Sequence, residues 1–349
     1  MLQSVHSNNI EGTRSRGSAR LAELPTPPRE KRGWPWTEES DPLPNCMSDG
    51  QPWPCITVVT PSFNQGEFLE ETIRSVLLQG YPSLEYLVMD GGSKDESAAI
   101  IEKYSPWLSY WSSGPDGGQS RAINRGLSKG TGLLAAWVNS DDLLCKNALV
   151  RHAMEAGFAE NVIYAGTCLF VSEAGAFISE HQGRVGSFED LLRVATVWRT
   201  AGNIVQPETL FPRELAVAAG GLNPDNHRSM DFELWGRLLL AGARIEYTGI
   251  QFGMFRQHGR QKTQDQWRQT ESLVEAAKRL AGLPSQLSDK TRNEILAELD
   301  AYWKSYQSSY WKSTGRLAQF GVPPFIANPL RDLRRVFEER LKRQQFFRR

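Results

Sequence analysis

Three short apolar stretches in the first half of the chain are each followed by residues with a helical period. Residues 56–60 (Ile-Thr-Val-Val-Thr) are β-branched and continuous, as in a strand buried on both faces. Phe68, Leu69, Ile73, Val76 and Leu77 then recur at helical spacing until Gly80 and Pro82 stop the helix. Asn64 and Glu67 stand at its start with the spacing of a capping box. A second strand over 85–89 ends on Asp90-Gly-Gly. Ser93 with Glu96 repeats the capping pattern before Ala98, Ile101 and Tyr104. A third extended piece, 108–111, leads through Gly-Pro-Asp-Gly-Gly-Gln at 114–119 into a helix over 120–129. Strand, helix, strand, helix predicts a parallel sheet with right-handed crossovers, and the loops after Thr60, Met89 and Val138 then open on one edge of it.

The centre of the pattern is 133–144, Leu-Leu-Ala-Ala-Trp-Val-Asn-Ser-Asp-Asp-Leu-Leu, an apolar run that stops abruptly on Asn139, Ser140, Asp141 and Asp142. Open α/β sheets bind ligands in the crevice beyond the carboxyl ends of their strands. Two carboxylates this close repel unless one is protonated or a cation lies between them. A divalent ion bridging to a substrate phosphate is one resolution, and a solvated turn that caps the next helix is the other.

The second half is less regular. A helix over 148–158 precedes short strands at 162–165 and 168–171 and a hairpin to Phe177-Ile178. Ser187 caps a helix over 191–196, Asp231 and Glu233 sit in the first turn of a helix ending near Gly242, and strands at 244–248 and 251–255 reach His258 among basic residues. Acidic residues suit a helix N-terminus without any chemistry, and a lone histidine is more often structural than a ligand. From about 265 the period is helical, with Ser288 as a cap. Residues 331–349 hold eight basic and three acidic residues beside Leu333, Val336, Phe337 and Leu341, which fits a solvated helix face or an anionic membrane surface.

Composition narrows the classes. Residues 1–52, rich in Pro, Ser and Arg, carry no sustained period and read as a flexible tail, with Trp34, Trp36 and Trp53 able to dock part of it. Forty basic against forty acidic residues give no global pull toward nucleic acid. Four cysteines without a Cys-x-x-Cys pair argue against a zinc site or a disulfide framework. No long apolar span and no signal peptide centre is present, so a cytoplasmic protein, peripheral at the inner face of the membrane if the basic end binds there, is expected. The glycine fingerprints of dinucleotide dehydrogenases and P-loop ATPases are absent. Asp90 on its tight turn can accept from an imide or a ribose hydroxyl, and the phosphates of any nucleotide then need a metal at Asp141 and Asp142.

Several separate blocks agree in order with one family. Thr-Pro-Ser-Phe-Asn-Gln at 60–65, Asp-Gly-Gly-Ser-Lys-Asp at 90–95, Pro-Asp-Gly-Gly-Gln-Ser at 115–120 with Asn124, Asn-Ser-Asp-Asp at 139–142, Asp-Phe-Glu-Leu-Trp at 231–235 and Phe-Arg-Gln-His at 255–258 resemble glycosyltransferase family 2, the inverting nucleotide-sugar-dependent enzymes of GT-A fold. The resemblance implies an α/β, Rossmann-like, mostly parallel central sheet flanked by helices. It places a catalytic domain at 53–263, with a nucleotide-sugar half at 53–145 and an acceptor half at 146–263, before a helical extension at 264–349.

It further implies that Pro61, Ser62, Asn64, Asp90, Asp116, Gln119, Asn124, Asn139 and Asp142 bind the nucleotide-sugar donor. Asp141, Asp142 and His258 would hold Mg²⁺ or Mn²⁺, and Asp231 would be the general base, with the split of roles between Asp231 and Glu233 open. The first acid of the family's Asp-x-Asp is Asn139 here, and Met230 stands where many relatives carry a second acid. The acceptor would be a glycan or a lipid-linked glycan of surface polysaccharide synthesis. A nucleotidyltransferase is the rival enzyme, although 61–67 lack the basic residues of its loop; a catalytically degenerate nucleotide- or sugar-binding scaffold is the non-enzymatic alternative.

Overall fold

A computed structural model describes residues 17–318, apart from the side chains of 201 and 311–318. Its described residues fall into two compact units divided between Gly259 and Arg260. In the first unit, β1 (Ile56–Ser62) leads to α1 (Gly66–Leu77), β2 (Leu84–Asp90), α2 (Ser97–Tyr104), β3 (Tyr110–Ser113), α3 (Gln119–Lys129) and β4 (Leu134–Trp137). Every residue of β1, β2 and β4 is buried, because helices cover both faces of this part of the sheet. Helix α1 contributes Phe68, Leu69, Ile73, Val76 and Leu77 to that core. Helix α3 lies so close to β1 that a Cβ on Gly126 would come within 2.5 Å of Val59 Cγ1.

These four strands pair in parallel in the order β3-β2-β1-β4. The connections leave β1 in one direction to β2 and β3 and then return to its other side at β4. The carboxyl ends of β1 and β4 therefore flank a topological switch point, where an open sheet leaves a crevice.

Beyond β4 the chain forms β5 (Leu143–Leu144), α4 (Ala148–Glu155), β6 (Val162–Ser172), β7 (Phe177–His181), α5 (Phe188–Leu192), a π-helical stretch (Val194–Gly202), β8 (Thr209–Pro212), α6 (Arg213–Ala218), α7 (Met230–Leu240) and β9 (Arg244–Gln257). The sheet continues β4-β8-β6-β9-β5, with β7 on β6; here only the β6–β9 pair is parallel. Leu143 pairs with Met254 and Leu144 with Gly253 in antiparallel register. Carried back toward lower numbers along the first strand, that register sets Arg256 opposite Asp141. The second unit contains α8 (Gln266–Ala281) and α9 (Asp289–Ala318), whose contact includes Trp267 against Trp303 at 5.0 Å between ring centroids.

Several local expectations change. Helix α1 begins at Gly66 and is not capped by Asn64, which adopts a left-handed φ of 52° and accepts from Lys94 N through Oδ1. The α1 start is served by Asp95, whose Oδ2 accepts from Gly66 N at 2.8 Å. Ser93 likewise does not cap α2, which starts four residues later; its hydroxyl donates to Asp90 and accepts from Asn64 N. The strand pairs expected at 162–171 and 244–255 are two long strands with register shifts. Ser187 and Ser288 do cap, accepting from Asp190 N and Thr291 N.

The flexible tail is also corrected from residue 17 onward. Ala19, Leu24 and Trp36 are buried, and Trp34 Nε1 donates to Leu144 O at 2.9 Å. Residues 1–16 and the basic segment 331–349 lie outside the described residues. Among the described residues no helix is long and apolar enough to cross a membrane.

Candidate active site

The loop that follows β4 is fixed on all sides. Asp142 N donates to Asn139 O, and the Thr72 hydroxyl of α1 contacts both Ser140 O and Asp142 O, at 2.9 and 2.8 Å. Ser140 Oγ donates to Gln65 Oε1. Within this loop the two adjacent carboxylates part company. Asp141 Oδ2 meets His258 Nε2 at 3.0 Å, with His258 just past the end of β9 and its ring tilted against Phe68. The Asp142 carboxylate is turned inward, 1% exposed, accepting from Arg256 N through Oδ1 and from Asn139 Nδ2 through Oδ2. Burial first, and the Asp141 charge second, push the Asp142 carboxyl well above the usual carboxylate range, against the pull of Asn139 and Arg256.

Both aspartates are expected at the metal or the donor, and the geometry sets them apart. Asp142 is a buried anchor of the loop, and what faces the crevice beside it is a pair of one carboxylate and one imidazole, Asp141 and His258. That pair fits Mn²⁺ or Mg²⁺ bound jointly with a diphosphate, since most of an octahedral shell is left for phosphate oxygens and water. Among the described residues no group of three or more His, Cys, Asp or Glu is placed to hold a metal ion.

Of the expected donor-binding residues, Pro61 and Ser62 are the buried last residues of β1 at the switch point, and Ser62 Oγ finds no hydrogen-bond partner among the described residues. An unpartnered buried hydroxyl is costly unless something else meets it. Asp116 lies on the loop before α3 with Oδ1 accepting from Gly118 N. Gln119 Nε2 donates to Asn139 Oδ1 at 2.8 Å.

Two others are used by the fold. Asp90 is 1% exposed and accepts from Gly92 N, Ser93 N, Ser93 Oγ and Ser113 Oγ, so its carboxylate builds its own turn instead of lying open to a base. Asn124 clamps the turn before α7, donating to Leu222 O and accepting from Leu222 N.

Helix α7 separates the two remaining acids. Glu233 is 7% exposed and accepts from Asn223 Nδ2 at 2.9 Å and Asn226 Nδ2 at 2.7 Å, so its carboxylate holds the loop 223–229. Asp231, half-buried in the first turn, has its carboxyl pushed up to about 6 by burial, partly offset by the N–H groups of Phe232 and its own residue. Its neighbour Met230 receives the Ser120 hydroxyl at 3.1 Å on Sδ, next to the Gln119 that holds Asn139. Trp235, one turn on, stacks against Trp137 at the end of β4 with centroids 5.7 Å apart. The start of α7 is thereby joined to the β4 loop through the 119–120 corner.

Two residues were missed in the sequence. Gln206 donates to Trp137 O and accepts from Asn139 Nδ2, fixing the loop from below; nothing in its local pattern signals this. Phe63 is 62% exposed beside Gly91 and Asp116 at the mouth of the crevice. The signal for Phe63 was available: a large aromatic directly after a buried strand end, on the ligand side of the sheet.

Known proteins resemble this chain in sequence and in fold. The profile of the family described as "Glycosyl transferase family 2" matches residues 57–216. An uncharacterized glycosyltransferase of Mycobacterium tuberculosis is 38% identical over 104 residues, covering 30% of this chain and 40% of the relative. The putative teichuronic acid biosynthesis glycosyltransferase TuaG of Bacillus subtilis is 31% identical over 103 residues, covering 28% and 40%. The chain thus spans about 40% of the length of these curated relatives.

Among solved structures, S. aureus TarS 1–349 in complex with UDP superposes with a TM-score of 0.50 at 17% identity over 70% of each chain. The mannosyltransferase PcManGT from Pyrobaculum calidifontis, in complex with GDP-Man and Mn²⁺, gives 0.50 at 18% over 81% of each. At such identities the likeness is one of fold, the GT-A architecture with a helical C-terminal region. The motif blocks, the profile match and this fold agree in the likeness of residues 57–216 to glycosyl transferase family 2.

Proposed function

We propose that the chain is a metal-dependent, inverting glycosyltransferase that moves a sugar from a nucleoside-diphosphate sugar to an acceptor hydroxyl in the synthesis of a surface polysaccharide or glycan. The observation that carries the reading is the pairing of Asp141 with His258 at the switch point, joined through Gln119 and Ser120 to the helix start that presents Asp231. The relatives support the acceptor class, since TuaG is named for teichuronic acid biosynthesis. The donor class is supported by fold neighbours described with UDP and with GDP-Man.

In this reading the nucleoside lies over the end of β1, where Phe63 offers a face for stacking and Ser62 Oγ a free hydroxyl. Asp141 and His258 would hold the divalent ion, which supplies Lewis-acid stabilisation of the charge on the departing diphosphate. Asp231 accepts the proton of the acceptor hydroxyl while that oxygen bonds to the anomeric carbon from the face opposite the diphosphate. The bond from anomeric carbon to diphosphate oxygen breaks with its electron pair going to the diphosphate. One displacement inverts the centre.

The test is a panel of nucleoside-diphosphate sugars with Mn²⁺ or Mg²⁺ and candidate acceptors, read by release of nucleoside diphosphate and by product. Asp231→Asn is expected to lower transfer by about 10²-fold or more with donor binding retained. Asp141→Asn is expected to abolish the dependence of donor binding on metal. Transfer by Asp231→Asn at the wild-type rate, or no acceptor-dependent release by wild type with any donor, would overturn the proposal.

A further inference from the structure

The Asp141 loop owes its shape to a buried arginine that the chemistry above does not use. Arg256 is 2% exposed. Its Nε donates to Asp141 O at 3.0 Å, its Nη1 to Glu173 O at 2.7 Å, and its own backbone N to Asp142 Oδ1 at 3.0 Å. Nη2 forms an ion pair with Glu71 Oε2 of α1 at 3.1 Å, and the guanidinium plane sits 5.2 Å from the centroid of Phe68, the same ring that backs His258. One side chain therefore joins helix α1, the β4 loop and strand β9, two residues before His258.

A fully buried guanidinium is expensive to keep, and replacing buried ion pairs by apolar groups is often neutral or better for stability. Stability alone is a weak reason for it here. What Arg256 does geometrically is fix both coordinates of the donor pair. It pins the main chain of Asp141 from the β9 side, while Thr72, next to Glu71, pins the flanking carbonyls Ser140 O and Asp142 O from the α1 side. The Asp141 carboxylate is thereby left pointing at His258.

We propose that Arg256, anchored by Glu71 and assisted by Thr72, is a positioning residue that holds Asp141 and His258 at the separation a divalent cation requires. The inference rests on the metal-dependent reading of the site. Partners of this kind, behind the ligands, typically change metal affinity by about 10–100-fold.

The experiment measures Mn²⁺ binding by calorimetry in the presence of UDP or of GDP, with no turnover, for wild type, Arg256→Lys, Glu71→Gln and Thr72→Val. Nucleotide binding without metal and the thermal midpoint are measured alongside. Arg256→Lys keeps the charge opposite Glu71 but cannot reproduce the fork on Asp141 O and Glu173 O. Thr72→Val exchanges the hydroxyl for a methyl of similar size and disturbs no charge, so the test survives if the buried-charge variant Glu71→Gln does not fold.

The expected result is a loss of Mn²⁺ affinity of about tenfold or more in Arg256→Lys and Thr72→Val, with metal-free nucleotide affinity unchanged. A merely structural role would lower the melting midpoint and leave the metal affinity of the folded protein where it was. That outcome overturns the proposal, as does an equal loss of metal-free nucleotide affinity. If wild type binds no Mn²⁺ with either nucleotide, the reading of the site fails with it.

Discussion

Asp231 and Asp142 have the same side chain and are both driven toward protonation by burial, but only one is left free to exchange a proton. Asp142 spends both oxygens on Asn139 and Arg256, whereas Asp231 has no side-chain donor among its lowering influences and is held at about 6. A base must be ionised to act, so the proposed enzyme should lose kcat/KM about tenfold per pH unit below 6 and level off above it. A flat profile between pH 5 and 7 would remove Asp231 from that role.

The same value carries a stability prediction of opposite sense. Because the folded value is raised from 3.8 to about 6, the folded state loses stability as pH climbs between the two and bears the whole penalty at pH 7, up to about 3 kcal/mol. Asp231→Asn is therefore expected to melt at a higher temperature than wild type at pH 7 while losing transfer, and the gain should shrink toward pH 4. A variant that is both inactive and less stable would point to a packing role.

Elements whose signal is local were legible in the sequence. The strands at 56–62 and 84–90, the helix after each, and the abrupt end of the central run on Asn139 to Asp142 all come from hydrophobic period and from turn residues, and they fixed the edge of the sheet where the site lies. What the sequence did not disclose was the direction of each polar side chain, because the partners come from far along the chain. Asp142 is met by Arg256, Asn124 by Leu222 and Asp90 by Ser113, and no local spacing encodes those meetings.

Long β6 and β9 read as broken pairs of strands because Gly166 and Gly249 interrupt the apolar pattern, yet Gly166, like Gly253 within β9, is a place where backbone must approach backbone. At Gly253 a Cβ would fall inside contact distance of the Pro207 carbonyl, beside the Gln206 that holds Asn139. Gly253→Ala should cost at least about 1–3 kcal/mol in a urea titration by forcing β9 away from that segment. Donor affinity should weaken with it; an unchanged midpoint would show that the two segments separate freely.

At the scale of the molecule, the segment that composition marked as a tail closes the far end of α1. Helix ends leave carbonyls without intrahelical donors. Here Ala19 N donates to Leu77 O, Ser40 N to Leu78 O and Leu43 N to Gly80 O. The segment is gripped by Arg74, which is fully buried and donates to Pro25 O, Pro35 O, Trp36 O and Tyr104 OH, with Trp36 packed over its guanidinium at 5.4 Å. This arginine, on the apolar side of α1, is the residue that turns three distant carbonyls inward.

Since α1 also carries Glu71 and Thr72 against the Asp141 loop, strap and site share one helix, and loosening the first should reach the second. Arg74→Met keeps much of the aliphatic stem but leaves those carbonyls without their donor, at about 1–3 kcal/mol for each one that water cannot reach. The expected outcome is a lower thermal midpoint together with new protease cleavage within residues 17–53, cleavage that nucleotide and Mn²⁺ suppress because binding stabilises the folded state it requires. Equal protection of that segment in Arg74→Met and wild type would mean that the strap is held by its tryptophans and not by the arginine.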